Sequence, residues 1–242
     1  MEPSDLGIDR RAVAERIALG DGTSWVDLVR GFVRQPIELF ETVYASVGWE
    51  QREVLRYDHY VPEKRLGGWI PPGSAPATIR QAGLHLEATY RVPFTGVAAI
   101  LYRDGDDHQG LHSDREMKWL DDTLIGIVVL GVRRPFVLRA RGVDANHKDL
   151  TKAGEAADDV VLTPGEGDLL VMGGRNQRDW LHAVPAAATD EPRISLTWRW
   201  TSRRGRPDTN PGYFEGRQFS DRPPQPGSRS AGSPAGSRGR NR

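Results

Sequence analysis

The segment GLHSDREMKW places His112 and Asp114 two residues apart. In an extended backbone, side chains at i and i+2 project to the same side. An imidazole nitrogen and a carboxylate oxygen could therefore reach one cation. The 242 residues include no cysteine, so a metal held by this chain must take histidine nitrogen and carboxylate oxygen, and structural zinc of the Cys type is excluded. A second, distant histidine would complete a set of two imidazoles and one carboxylate. On Fe(II) that set leaves positions open for a chelating co-substrate and for dioxygen.

His-x-Asp alone is a common pattern, and His147-Lys148-Asp149 repeats it inside the polar stretch NHKDLTKAGEAADD, which reads as a solvated loop. His85 and Glu87 are also two apart, but a helix would splay them by about 200°. His112 and Asp114 have the better context, since they follow an apolar run ending at Tyr102 and a turn-forming DGDD. For the third ligand, His182 in RDWLHAVP follows the run DLLVMGG, whose Gly173-Gly174 pair permits a sharp turn. Taken alone it reads more readily as a structural histidine than as a ligand. His59 and His108 are the other candidates, both in polar segments. Arg193 and Arg199, six apart along PRISLTWRW, share one face of a strand and its entry, and Arg is the natural bidentate partner of a carboxylate. Two such cations beside a metal would suit a dianionic 2-oxo acid. Asp168, just before DLLVM, reads as a turn residue.

These groups must be positioned by regular elements. Residues 1–20 are expected to form a short N-terminal helix, with Ile8, Val13, Ile17 and Leu19 on one side. A second helix is expected over 36–47, with Pro36 in its first turn and Gly48 at its end. Residues 61–76, rich in Pro and Gly, are expected to be irregular. A third helix is expected over 77–90. From residue 96 onward the pattern turns to β: 96–102, 124–130, 135–139, 160–162, 168–172 and 194–200 read as strands separated by turn residues, with 142–159 polar and irregular. Helices first and many short strands after them predict an α+β protein with a β-sandwich or open barrel.

Composition bounds the rest. Hydrophobic residues make up 38% and charged residues 27%, enough for a sizeable core in a soluble domain. The N-terminus lacks an apolar signal-peptide stretch, and no apolar run approaches the ~18 residues needed to span a bilayer. The expectation is a cytoplasmic, monomeric protein with no membrane partner. The net charge of zero hides an asymmetry. From Ser202 onward there are nine Arg against Asp208, Glu215 and Asp221, or +6, which leaves −6 on residues 1–201. The division expected is thus a helix over 1–20, one domain over 21–201, and an Arg/Gly/Pro/Ser-rich tail over 202–242 without fixed structure.

The ordered set YRDGDDHQGLHSD, TLIGIVVLG, PFVLRARG, PGEGDLLVMGG, DWLHAVP and PRISLTWRW, over about residues 60–201, resembles the AlkB family of Fe(II)- and 2-oxoglutarate-dependent dioxygenases, more closely its animal DNA-repair members. The resemblance implies a double-stranded β-helix (jelly-roll) core with an N-terminal nucleotide-recognition lid. It makes His112, Asp114 and His182 the iron ligands, and Arg193 and Arg199 the arginines that bind 2-oxoglutarate, with Tyr102 contacting the same co-substrate. It puts Glu116 near the target base and Trp69, in RLGGW, where an aromatic stacks on it. The activity implied is oxidative demethylation of alkylated DNA or RNA bases with Fe(II), 2-oxoglutarate and O2, releasing formaldehyde, succinate and CO2. This sequence departs from the family pattern at three places. Ile100 and Ser195 stand where the family has Asn, and WIPPGSAP replaces an aromatic-rich hairpin in the lid.

Two other readings are compatible with the same residues. A dioxygenase of this scaffold could hydroxylate a protein or small molecule, which the acidic balance of residues 1–201 favours. A noncatalytic nucleic-acid-binding module acting through the Arg-rich tail is the other.

Overall fold

The structure is a computed structural model of the 242-residue chain, and it describes residues 7–56, 59–94, 96–114, 117–118, 120–142 and 153–202. Its strands are β1 (Ala14–Ala18), β2 (Trp25–Val29), β3 (Glu53–Arg56), β4 (His59–Pro62), β5 (Leu66–Ile70), β6 (Val97–Tyr102), β7 (Gln109–His112), β8 (Thr123–Gly131), β9 (Phe136–Ala140), β10 (Val160–Leu162), β11 (Leu169–Gly174), β12 (Trp180–Val184) and β13 (Arg193–Thr201). The helices are α1 (Pro36–Ser46), α2 (Ala77–Tyr90) and the single turn α3 (Asn176–Asp179).

Among the described residues, seven strands form one sheet in the order β1-β2-β11-β8-β13-β6-β5, and four form a second in the order β10-β9-β12-β7. The small sheet covers one face of the large one. The layer between them holds Val26, Leu28, Ile125, Ile127, Val129, Phe136, Leu138, Leu170 and Met172. Helices α1 and α2 cover the opposite face of the large sheet, where Leu39, Val43, Ile79 and Leu86 pack on Leu101, Val128, Leu130, Ile194 and Leu196. This is the jelly-roll arrangement. It explains why β8 reads as an unbroken apolar run: a central strand covered on both sides has no face to give to water. Each side chain fully buried there contributes about 1.5–3 kcal/mol. Gly126 is the exception in that run, because a Cβ there would stand 2.9 Å from Leu86 Cδ1 of α2. A larger residue there would force the Leu86 side chain to shift.

The helix expected over 1–20 is corrected in its second half, where β1 is an edge strand. Helical spacing relates Val13 to Ile17, but Ile17 and Leu19, two apart, both reach the layer between the sheets. Across the ladder Arg16 lies opposite Asp27 and binds it with two hydrogen bonds of 2.7 Å. That bidentate cross-strand pair outweighs the weak helical periodicity of a charged segment. Residues 61–76 are not irregular throughout either, since β5 pairs with β6 along its whole length. Gly68 is what permits it: a Cβ there would lie 2.3 Å from Val47 Cγ1. Strands β2, β3, β4, β7 and β12 carry no clear periodic signal in the sequence, being short or interrupted by polar residues. The expected helices over 36–47 and 77–90 and the later strands form within a residue or two of their expected ends.

Candidate active site

β7 and β12 are antiparallel neighbours in the small sheet, and His112 stands directly opposite His182. Residues directly opposed on one face have Cβ atoms about 4.5–5.5 Å apart. Here the two imidazole centroids are 4.2 Å apart, with planes tilted by 50°. The register shifts between His182 and Val184, so the ladder is broken beside the site, as bulges often are near reacting groups. Phe136 stacks on the other side of His182 at 5.8 Å and fixes its plane.

Asp114 lies just past the end of β7. Its backbone N–H donates to Gln177 Oε1 at 2.8 Å, and Gln177 is fully buried in α3. The intervening Ser113 donates to the Trp180 carbonyl at 3.1 Å and accepts a hydrogen bond from Arg141. The ligand-bearing turn is therefore tied to β12 and α3 rather than loose. His112, Asp114 and His182 each offer one ligand atom, and these atoms lie within 4.8 Å of one another. His112 Nδ1 is 2.8 Å from the Gly110 carbonyl, which leaves Nε2 free to bind a metal. His182 Nδ1 is buried with no hydrogen-bond partner.

The protonation states suit a cation. Burial, then His112, pushes His182 down to about 3, and burial also lowers His112. Burial alone would raise Asp114, but Arg199 and the two imidazoles outweigh it and hold this carboxyl well below the usual range. Near neutral pH the cluster thus offers two neutral imidazoles and one carboxylate, the forms that bind metal.

Arg199, near the end of β13, donates from Nε to Asp114 Oδ2 at 2.5 Å. Arg193, at the start of the same strand, lies opposite Tyr102 of β6 and Gly131 of β8. It has no solvent exposure. Its Nη1 donates to Ser195 Oγ at 2.7 Å, while its Nε and Nη2 are buried without partners. Burial brings Arg193 down to about 10, so it remains a cation at neutral pH. A buried guanidinium with two unused donors is costly unless an anion completes it. The donor set therefore fits both groups that the residue types imply, a divalent metal at His112, Asp114 and His182 and a carboxylate at Arg193. Ser195 stands directly opposite Ile100, so two of the departures from the AlkB pattern are cross-strand partners beside Arg193.

Trp69 of β5 pairs with Ala98, and Ala98 with Thr197. Register and the two-residue period put Trp69 on the same face of the large sheet as Arg193, Ser195 and Arg199. It is 55% exposed and its indole lies against Gly96. An aromatic that open on a face which also carries the buried site is unusual for a packing residue.

Other candidates do not join this site. His108 is exposed and bonds the Asp106 carbonyl. His85 and Glu87 lie within α2, where His85 meets Thr89 and Glu87 accepts from the Phe94 N–H. Glu116, His147 and Asp149 lie outside the described residues, as does most of the tail, and nothing is described of the His59 side chain. Asp168 is a turn residue: buried, it accepts from Arg30 Nη1 at 2.6 Å, the Gly31 N–H and the Gly165 N–H. Gln177 is a residue that the sequence does not mark, because no local pattern singles out a Gln in a single helical turn.

Residues 24–199 match the 2OG-Fe(II) oxygenase superfamily. The chain is 28% identical over 225 residues to the mouse protein named alpha-ketoglutarate-dependent dioxygenase alkB homolog 3, covering 85% of this chain and 77% of that one. It is 33% identical over 187 residues to the Arabidopsis thaliana DNA oxidative demethylase ALKBH2, covering 71% of this chain and 56% of that one. Among solved structures, a Trichoplax adhaerens prolyl hydroxylase in complex with a hypoxia-inducible-factor peptide fragment superposes with a TM-score of 0.52 at 12% identity, over 73% of this chain and 83% of that one. That last likeness speaks to the fold alone.

Proposed function

The chain belongs to the 2OG-Fe(II) oxygenase superfamily, on its AlkB-type branch, and from that premise we propose that it removes N-methyl groups from alkylated DNA or RNA bases. It is a dioxygenase that uses Fe(II), 2-oxoglutarate and O2. The observation that carries the nucleic-acid reading is Trp69, an exposed aromatic on the face that also bears Arg193 and Arg199. Relatives named as DNA oxidative demethylases support it.

In this reading His112, Asp114 and His182 hold the iron, and Arg193 with Tyr102 holds the distal carboxylate of 2-oxoglutarate. Bound together with O2, the iron and co-substrate supply oxidation of a substrate C–H bond, and the hydroxylated N-methyl group leaves as formaldehyde while succinate and CO2 are released. The protein's own residues do the positioning. Arg199 fixes the Asp114 carboxylate through Nε, and Gln177 fixes its backbone. Phe136 holds the plane of His182. The apolar layer of Phe136, Leu138, Ile125 and Val129 keeps bulk water from one side of the cluster. Trp69 stacks on a base that is flipped or single-stranded, since a methyl group inside a duplex cannot reach the site.

The test is formaldehyde and succinate release from a panel of N-methylated DNA and RNA oligonucleotides, resolved by mass spectrometry, with His182→Ala as the control. The expected result is stoichiometric formaldehyde and restored base with the wild type, and none with the variant. Succinate without formaldehyde from any oligonucleotide would instead favour a protein or small-molecule substrate.

A further inference from the structure

Arg134 lies in the turn between β8 and β9 and is 1% exposed. Its Nη1 donates to the Asp104 carbonyl at 2.9 Å, and its Nη2 to the carbonyls of Asp107 and Pro185 at 2.8 and 2.7 Å. It thereby ties the loop after β6 to the end of β12. Its Nε is buried with no partner. Its guanidinium carbon sits 5.4 Å from the centroid of the Tyr102 ring, and that of Arg193 sits 5.3 Å from the same centroid.

Two cations with almost no access to water therefore meet one aromatic ring. Neutral carbonyls orient Arg134 but leave its charge uncancelled. The nearest acids are largely committed elsewhere: the Asp107 carboxylate accepts three hydrogen bonds from Arg103, and the Asp104 carboxylate caps its own loop. Like charges held together in a dry interior repel strongly. Three buried N–H nitrogens, Arg134 Nε and Arg193 Nε and Nη2, remain without acceptors.

We infer that Arg134 is a second cation of the co-substrate pocket and a specificity-determining residue for it. It makes the floor under Tyr102 doubly positive, so that the pocket selects a 2-oxo acid carrying a distal carboxylate over one without it. This rests on the reading of Arg193 as the distal-carboxylate residue. Arg134 also acts as a positioning residue, because its three carbonyl bonds set the backbone around Tyr102.

The experiment uses the full chain loaded with Mn(II). Calorimetric titration measures binding of 2-oxoglutarate and of 2-oxopentanoate, which has the same carbon chain without the distal carboxylate. The variants are Arg134→Met, which removes the charge, and Arg134→Lys, which keeps it. Thermal melts check that both fold. The expected result is that Arg134→Met weakens 2-oxoglutarate binding at least tenfold, about 1.4 kcal/mol, and 2-oxopentanoate binding less than twofold. Arg134→Lys should keep the wild-type ratio between the two acids even where both bind more weakly. Equal weakening of both acids by Arg134→Met, or no weakening, would overturn the inference and leave a structural role. An Arg134→Met chain that does not fold leaves the decision to Arg134→Lys, where a ratio collapsed to that of a chargeless pocket overturns it. Wild type that binds neither acid would remove the co-substrate reading itself.

Discussion

Replacing Arg193 with Met should make the metal-free protein more stable while removing its affinity for 2-oxoglutarate. Arg193 has no solvent exposure, and its Nε and Nη2 lack acceptors. Each unsatisfied buried donor costs about 1–3 kcal/mol. Met is unbranched and adaptable enough to fill the same channel. Against the gain stand the hydrogen bond to Ser195, about 1 kcal/mol, and the contact with the Tyr102 ring, about 0.5–2 kcal/mol. Loss of the attraction to Tyr102 works against the variant, and relief of repulsion from Arg134 works in its favour. At the central values, about 4 kcal/mol gained against about 2 lost, the balance is a stabilisation of about 2 kcal/mol, or roughly 4–8 °C in Tm for a domain of this size. The assay is thermal and urea unfolding of both proteins without metal or co-substrate, repeated with Mn(II) and 2-oxoglutarate. At a hundred times Kd a ligand adds about 2.7 kcal/mol, so the wild type alone should rise and the order of the two should close or reverse. A variant less stable than wild type in the first condition would refute the reasoning, because the orphan donors would then not be a stored cost of ligand binding.

Trp69→Ala should leave stability within about 0.5 kcal/mol, since the side chain is 55% exposed. It should lower formaldehyde release from a methylated oligonucleotide about tenfold or more, on the scale of a lost base-aromatic stack, and spare 2-oxoglutarate turnover without substrate; equal loss of both activities would remove the stacking role. Asp107 gives the acid side of the stability curve. Burial pushes its carboxyl up, but the hydrogen bonds from the Arg103 side chain and N–H outweigh that and hold it below its usual value. A carboxyl lowered in the folded state contributes stability above its unfolded value of about 3.9 and loses it as pH falls through the folded value. Asp107→Asn should therefore cost about 2 kcal/mol at pH 7, moderated by the part-exposed Arg103, and its deficit should shrink once pH falls below about 4. Urea unfolding at pH 7 and pH 3.5 checks it, and a deficit independent of pH would show that the ion pair is not its source.

How far the site was legible depended on the type of signal. His112, Asp114, His182, Arg193, Arg199 and Tyr102 were all singled out from local spacing together with the ordered set of motifs, and the structure brings them to the facing layers of two sheets. The buried strands β6, β8, β11 and β13 and the helices α1 and α2 were legible because apolar periodicity encodes which sides are covered. β1 was misread because a short charged edge strand takes its conformation from the partner it pairs with, here Asp27 through Arg16. β5 is hidden in the sequence because Gly67-Gly68 reads as a breaker in isolation, whereas Gly68 serves close packing against Val47.

What the sequence alone determined is chemical: the absence of thiolates, the supply of imidazoles and carboxylates, the residues able to bind a dianion, and the alternation that fixes which of them share a face. These follow from side-chain type and from periods of 2 and 3.6, which are local properties. Only the tertiary structure decided that position 182 lies across a ladder from position 112, that Gln177 holds the backbone of Asp114, and that Arg134 joins Arg193 at one ring. Those contacts join residues tens of positions apart. No local pattern encodes them, because they exist only once two sheets have buried their apolar faces against each other.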